Sequence, residues 1–108
     1  MHGFKEVDPS FVIQASGSVG GAHLIDVRTE AEVAQGVISG AVHIPLHLLP
    51  LRADDVPQDK PVVIYCRTGA RSAQACAFMA AQGFENMHNL AGGILSWTRS
   101  GHSLSRSQ

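Results

Sequence analysis

The residues best suited to chemistry form one short segment in the second half of the chain. Cys66 is a nucleophile once it is ionised, and Arg67, Gly69 and Arg71 follow it within five residues. A glycine lets the backbone approach a ligand closely, and successive N–H groups in such a loop converge into a binding site for anions. The arginines add positive charge. These features predict a thiolate at Cys66 whose pKa lies below that of a free cysteine.

The flanking patterns indicate how this segment is positioned. Val62–Tyr65 is an uninterrupted, largely β-branched run, typical of a central strand that is covered on both faces. Apolar residues at helical spacing then predict a helix that opens at Arg71 or Ser72 and runs to about Gln82. Its N-terminus offers unpaired N–H groups and the positive end of the helix dipole. The cysteine is therefore predicted at the carboxyl end of a strand, where open α/β sheets bind ligands.

The rest of the chain alternates short apolar runs with helical patterns. Further strands are predicted at residues 23–27, 41–44 and 86–90. Helix starts are predicted at Asp8-Pro9, at the Thr29/Glu32 capping box and after Gly92-Gly93, with a helical turn over residues 46–52. Gly17, Gly20 and Gly21 are predicted to end the first helix. The order predicts an α/β fold with a mostly parallel sheet.

Composition and charge narrow the function classes. The 108 residues, 44% hydrophobic and 16% charged, fit one globular domain over 1–108, with a core at about 8–101 and a polar, frayed tail at 102–108. A net charge of −1 argues against a general nucleic-acid or membrane-surface binder. No membrane span and no signal peptide can be recognised, so the expected location is the cytoplasm.

Four segments together resemble the rhodanese family, over roughly residues 8 to 97. Leu24–Arg28 resembles its first signature, and residues 30–45, with Gly36, Gly40-Ala41 and Ile44-Pro45, resemble its second. Cys66–Ser72 resembles the active-site loop of single-domain members. Residues 92–101, with Gly92-Gly93 and Trp97, resemble the C-terminal signature. Four motifs in the right order and spacing make the resemblance specific.

The resemblance implies both a fold and an activity. The fold would be a rhodanese-like central parallel five-stranded sheet, with helices on both faces. The activity would be that of a thiosulfate sulfurtransferase, with Cys66 as the catalytic residue that carries sulfur as a persulfide. The loop would bind the substrate through Arg67, Thr68, Gly69, Ala70 and Arg71. The partners would be an anionic sulfur donor such as thiosulfate, a thiophilic acceptor such as cyanide or a thiol, and a protein sulfur donor or acceptor.

The chain also departs from the family pattern. Val37 stands where His is frequent, His43 stands where Asn is usual, and His102-Ser103 stands where a proline is frequent. None of these lies in the cysteine loop, so they bear on the partner surface rather than on the chemistry. The resemblance assigns Asp26 and Arg28 a mainly structural role.

Other readings of the same residues lead to different functions. The Cys66 loop fits a non-catalytic sulfur relay or partner-binding module as well as an enzyme. Phosphatases and arsenate reductases of the same fold have a longer loop, whereas only four residues separate Cys66 from Arg71 here. Cys76 lies on the apolar stripe of its helix and is predicted to be core rather than a resolving cysteine. No metal site is predicted, because Pro45 separates His43 from His47, and no cofactor is expected.

Overall fold

The computed structural model describes residues 3–17 and 21–106, and Gly20 and residues 107–108 lie outside them. Five parallel strands form one sheet in the order β1-β5-β4-β2-β3. The strands are β1 (Lys5–Val7), β2 (His23–Asp26), β3 (Val42–His43), β4 (Val62–Tyr65) and β5 (Met87–Leu90). The helices are α1 (Pro9–Ser16), α2 (Glu30–Val33), α3 (Ala70–Ala81) and α4 (Gly93–Arg99), with a 3-10 segment at Leu46–Asp55. The predicted α/β class is confirmed.

Strand β4 is the centre of the sheet, as its sequence predicts. It pairs with β2 on one side and β5 on the other, and all four of its residues are fully buried. Because side chains alternate along a strand, Val62 and Ile64 pack into one core cluster, while Val63 and Tyr65 pack into another. Residues of α3 and the 3-10 segment complete the first cluster, and residues of α1 and α4 complete the second. Helices therefore cover both faces.

The helix starts are encoded locally. The Asp8 carboxylate accepts a hydrogen bond from the Phe11 N–H and caps α1, with Pro9 in the first turn. Thr29 and Glu32 form the predicted capping box, in which each side chain accepts from the other's backbone N–H. Both predictions are confirmed. None of the described helices is long and apolar enough to cross a membrane.

Both ends of the chain differ from the expectation. The sheet begins at Lys5, ahead of the expected core of about 8–101, because β1 pairs with β5. The expectation of a frayed tail is wrong as far as Ser105, because Val37 and Ser105 exchange backbone hydrogen bonds of 2.8 and 2.7 Å. The Trp97 indole also donates to the Ser103 carbonyl at 3.0 Å. Val37, one departure from the family pattern, thus pairs with the C-terminal segment that contains another, His102-Ser103.

Candidate active site

The Cys66 thiol lies one residue beyond β4 and accepts hydrogen bonds from the loop that follows. The Gly69 N–H donates to Sγ at 3.1 Å. The N–H and the hydroxyl of Ser72 both donate to Sγ at 3.4 Å. The amides of Gly69 and Ser72 thus face the sulfur, in keeping with the anion-binding loop that the sequence predicts.

The sulfur takes the position of a helix cap. Gly69 is the N-cap of α3, has φ of +101°, and has no side chain to accept from the first-turn N–H groups. Ser72 is the third residue of the helix, whose N–H an N-cap side chain ordinarily receives. Here the Cys66 sulfur receives it instead. A negative sulfur is favoured there because it meets unpaired N–H groups and the positive end of the helix dipole.

Hydrogen bonds decide the ionisation of this thiol. Burial by itself raises the pKa of Cys66, but donation by the hydroxyl and N–H of Ser72 and by the N–H groups of Gly69 and Thr68 outweighs it. The net result is a pKa below the ordinary value, as the loop predicts. Ser72, which ends the Cys66–Ser72 motif but is not among the predicted substrate-binding residues, supplies two of the four donors.

The thiol is closed off from solvent. Cys66 is 0% exposed, whereas Arg67, Thr68 and Ala70 of the same loop are exposed. Gly69, which donates to the sulfur, is buried as well. Neighbouring atoms must therefore move aside before a donor can reach the sulfur.

The first turn of helix α4 donates two hydrogen bonds to the cysteine loop. The Ile94 N–H donates to the Cys66 carbonyl at 2.9 Å, and the Leu95 N–H donates to the Arg67 carbonyl at 3.2 Å. Gly93 makes this close approach feasible, because a Cβ there would lie 2.5 Å from the Arg67 oxygen and 2.6 Å from the Cys66 oxygen. Gly93 also has φ of +58°, which glycine adopts most readily. The glycine pair of the C-terminal motif thus serves the cysteine loop directly.

Arg71 is engaged by a carboxylate. Its two terminal nitrogens donate to the two oxygens of Glu32 at 2.7 and 2.8 Å, a bidentate ion pair. Arg71, together with the Thr29 N–H and hydroxyl, lowers the pKa of Glu32 from 4.5 to about 2. Arg71 therefore ties the start of α3 to α2, and its charge is already paired. Arg67 has no ion pair within the described part of the chain and carries the loop's free positive charge.

Asp26 and Arg28 form a buried pair beneath the site. The Arg28 guanidinium donates to both Asp26 oxygens, at 2.7 to 3.1 Å, and to the Gly36 carbonyl at 2.7 Å. Both residues are at most 5% exposed. Burial and the neighbouring Asp26 raise the pKa of Tyr65, which therefore stays protonated. The hydrogen bonds between Asp26 and Arg28 agree with the structural role that the resemblance assigns to these two residues.

A groove of about 790 Å³ runs beside the start of α3. Its lining includes Arg71, Gln74 and Phe78 of α3, together with His43, Leu46 and His47. His43 is anchored through its Nε2, which lies 2.7 Å from the Arg28 carbonyl oxygen. The departure at His43 thus faces a cavity that Arg71 also lines.

The second cysteine belongs to the core, as predicted. Cys76 is 0% exposed and packs in the same cluster as Cys66, and burial raises its pKa to about 12. Both cysteines are free thiols. Among the described residues no group of three or more His, Cys, Asp or Glu side chains is arranged to hold a metal ion.

Known proteins resemble this chain in both sequence and fold. The family model of the rhodanese-like domain matches residues 13–100. A sulfurtransferase of Allochromatium vinosum is 47% identical over 97 residues, covering 90% of this chain and 91% of that protein. The thiosulfate sulfurtransferase GlpE of Pseudomonas entomophila is 30% identical, covering 90% and 87%. A rhodanese-like domain protein of Staphylococcus aureus superimposes with a TM-score of 0.85 at 25% identity, covering 97% of this chain and all of that one.

Proposed function

Because the chain belongs to the rhodanese-like domain family, we propose that it is a sulfurtransferase that carries sulfane sulfur as a persulfide on Cys66. The observation that carries this proposal is the convergence of the Gly69 N–H and the Ser72 N–H and hydroxyl on one sulfur atom. Fixed donors of this kind stabilise a negative sulfur as an oxyanion hole stabilises a negative oxygen. The chemistry needs neither metal nor cofactor.

Thiosulfate is the proposed donor, in keeping with the activity named for the Pseudomonas relative. The Cys66 thiolate attacks the outer sulfur of thiosulfate, a new S–S bond forms, and the old S–S bond breaks. Sulfite leaves with the electron pair, and the enzyme retains a persulfide anion. A nucleophilic acceptor such as cyanide or a thiol then attacks the outer sulfur, and the Cys66 thiolate is released. Two half-reactions through a covalent intermediate predict ping-pong kinetics.

The proposed substrate contacts come from the loop Arg67–Arg71. Arg67, exposed and without an ion pair in the described part of the chain, attracts the anionic donor. The N–H groups of Thr68, Gly69 and Ala70 are the main-chain donors that cradle the outer sulfur once it is transferred. Arg71, whose charge is paired with Glu32, contributes to the substrate contacts by fixing the first turn of α3.

Mass spectrometry tests the proposal directly. After incubation with thiosulfate and removal of excess reagent, the peptide that contains Cys66 should gain the mass of one sulfur atom. Subsequent cyanide should remove that mass and release thiocyanate. The Cys66→Ser variant should gain nothing, while Cys76→Ala should behave as the unmodified protein does. Sulfur found on Cys76, or on neither cysteine, would contradict the proposal.

A second candidate is a relay that exchanges sulfur with another protein. The groove beside α3 favours it, because a cavity of about 790 Å³ that Arg71 lines is larger than thiosulfate needs. In this case Cys66 would still gain sulfur, but from a protein persulfide, and thiocyanate formation from thiosulfate and cyanide would be negligible. Measuring both sulfur uptake on Cys66 and thiocyanate formation therefore separates the candidates.

Two free cysteines suit a reducing compartment, and we propose the cytoplasm as the location.

A further inference from the structure

Asn89 is a buried polar side chain on β5 that contacts the cysteine loop. It is 2% exposed. Its Nδ2 donates to the Gly69 carbonyl at 3.1 Å and to the Glu6 carboxylate at 3.0 and 3.2 Å. These contacts join two strands of the sheet to the residue that caps α3.

The chemistry of the partners fixes which way the amide points. A side-chain amide carries two N–H donors on its nitrogen and acceptor sites on its oxygen. Both groups near Nδ2, the Gly69 carbonyl and the Glu6 carboxylate, are acceptors. The reverse orientation would place three oxygen groups against one another. Asn89 is therefore a donor to Gly69.

Gly69 is consequently held at both of its ends. Its N–H donates to the Cys66 sulfur, and its carbonyl accepts from Asn89 and from the Ala73 N–H at 3.1 Å. A glycine has the freest backbone of any residue, so its N–H stays on the sulfur only if neighbouring contacts restrict it. We infer that Asn89 is a positioning residue for the sulfur site, which keeps the Gly69 N–H directed at Cys66.

Asn89 is a poor choice if its role is stability alone. Its Oδ1 is buried and has no hydrogen-bond partner among the described residues. Burying an unpaired acceptor is unfavourable, whereas an apolar side chain of the same shape avoids that penalty. The benefit of the amide thus lies in what its nitrogen binds, and of its two partners, the Glu6 carboxylate and the Gly69 carbonyl, only Gly69 belongs to the cysteine loop.

The inference rests on the proposed role of Cys66, but its test uses alkylation, which requires no sulfur transfer. The rate of Cys66 alkylation is measured against pH for two proteins, the Cys76→Ala variant and the same variant with Asn89→Leu added. Loss of one well-directed hydrogen bond to the sulfur should raise the midpoint by about half to one pH unit. Sulfur uptake at neutral pH should fall by about threefold to tenfold for the same reason.

Two controls separate positioning from general support. Asn86→Leu removes an amide that donates to the Pro57 and Lys60 carbonyls at 2.9 and 2.7 Å. Both carbonyls precede the start of β4, whereas the cysteine loop follows its end. Glu6→Ala removes the other partner of Asn89 and leaves its bond to Gly69. Both controls should keep the alkylation midpoint, even if Asn86→Leu lowers the melting temperature.

The outcomes are decisive in each direction. A folded Asn89→Leu protein with an unchanged midpoint, or an equal shift in Asn86→Leu, would overturn the inference. If Asn89→Leu does not fold, Asn89→Ser gives the same readout, because its hydroxyl is too short to span to Gly69. If the parent protein accepts no sulfur while Asn89→Leu still shifts the midpoint, the proposed function fails and the positioning role stands.

Discussion

Replacing Gly93 by alanine should test how the C-terminal glycine pair supports the cysteine loop. The new Cβ would lie 2.5 Å from the Arg67 carbonyl oxygen and 2.6 Å from both the Arg67 carbonyl carbon and the Cys66 oxygen. These are backbone atoms, so no side-chain rotation can relieve the overlap. The loop and α4 must separate, and the hydrogen bonds that the Ile94 and Leu95 N–H groups donate to the loop carbonyls must lengthen or break.

The expected loss of stability follows from three contributions. The left-handed backbone of Gly93 disfavours a residue with a Cβ by about 1–2 kcal/mol. Each hydrogen bond from α4 to the loop contributes about 0.5–1.5 kcal/mol. The free energy of unfolding should therefore fall by about 2–5 kcal/mol. That is a large share of the roughly 5–15 kcal/mol of an ordinary domain.

Gly83→Ala is the matched control for this substitution. Gly83 also has a positive φ, of +102°, but a Cβ there would meet no atom of the described residues within 4 Å. The control therefore carries the backbone penalty without the overlap. Urea unfolding and the rate of sulfur uptake are measured for both variants. Gly93→Ala should be the less stable and should lose uptake; equal stability of the two variants with full uptake in Gly93→Ala would refute the reasoning.

Two further predictions follow from the contacts of the site. Ser72→Ala removes a hydroxyl donor to Sγ, so the alkylation midpoint of Cys66 should rise by about half to one pH unit; an unchanged midpoint would remove Ser72 from the sulfur site. Glu32→Gln removes an ion pair whose stabilising effect is present above the unfolded pKa near 4.5 and is lost as pH falls toward about 2. The difference in urea midpoint between this variant and the parent should therefore be constant above pH 4.5 and shrink below it, whereas a difference that is independent of pH would contradict this account.

The central strand, the helix caps and the cysteine loop could be predicted from the sequence because their signals are local. The composition of Val62–Tyr65 alone predicts a buried strand, and the spacing of Thr29 and Glu32 alone predicts a capping box. The positive φ at Gly69 likewise belongs to a short motif. Each signal spans only a few residues, so no knowledge of the tertiary contacts is needed.

The contacts that complete the site connect distant parts of the chain. Arg71 and Glu32 are 39 residues apart in the sequence, and Asn89 and Gly69 are 20 residues apart. Neither contact can therefore be predicted from a local sequence pattern. The sequence therefore indicates the positive charge of Arg71 but not the carboxylate that pairs with it.

Short or irregular elements were missed for a related reason. Strand β1 has three residues, of which Lys5 and Glu6 are exposed, so it carries no apolar alternation. Its pairing partner is β5, at the other end of the chain. The tail likewise gains its order from Val37, more than sixty residues earlier in the sequence. In both cases the partner, rather than the segment itself, determines the structure.

The most direct test of the account is the pH dependence of Cys66 alkylation in the Cys76→Ala protein, where one thiol remains. If the loop amides and Ser72 stabilise the thiolate, the reaction midpoint will fall below that of a free cysteine, roughly 8.5. A midpoint at or above that value would mean that burial dominates at this sulfur, and it would contradict the anionic site on which the proposed chemistry depends.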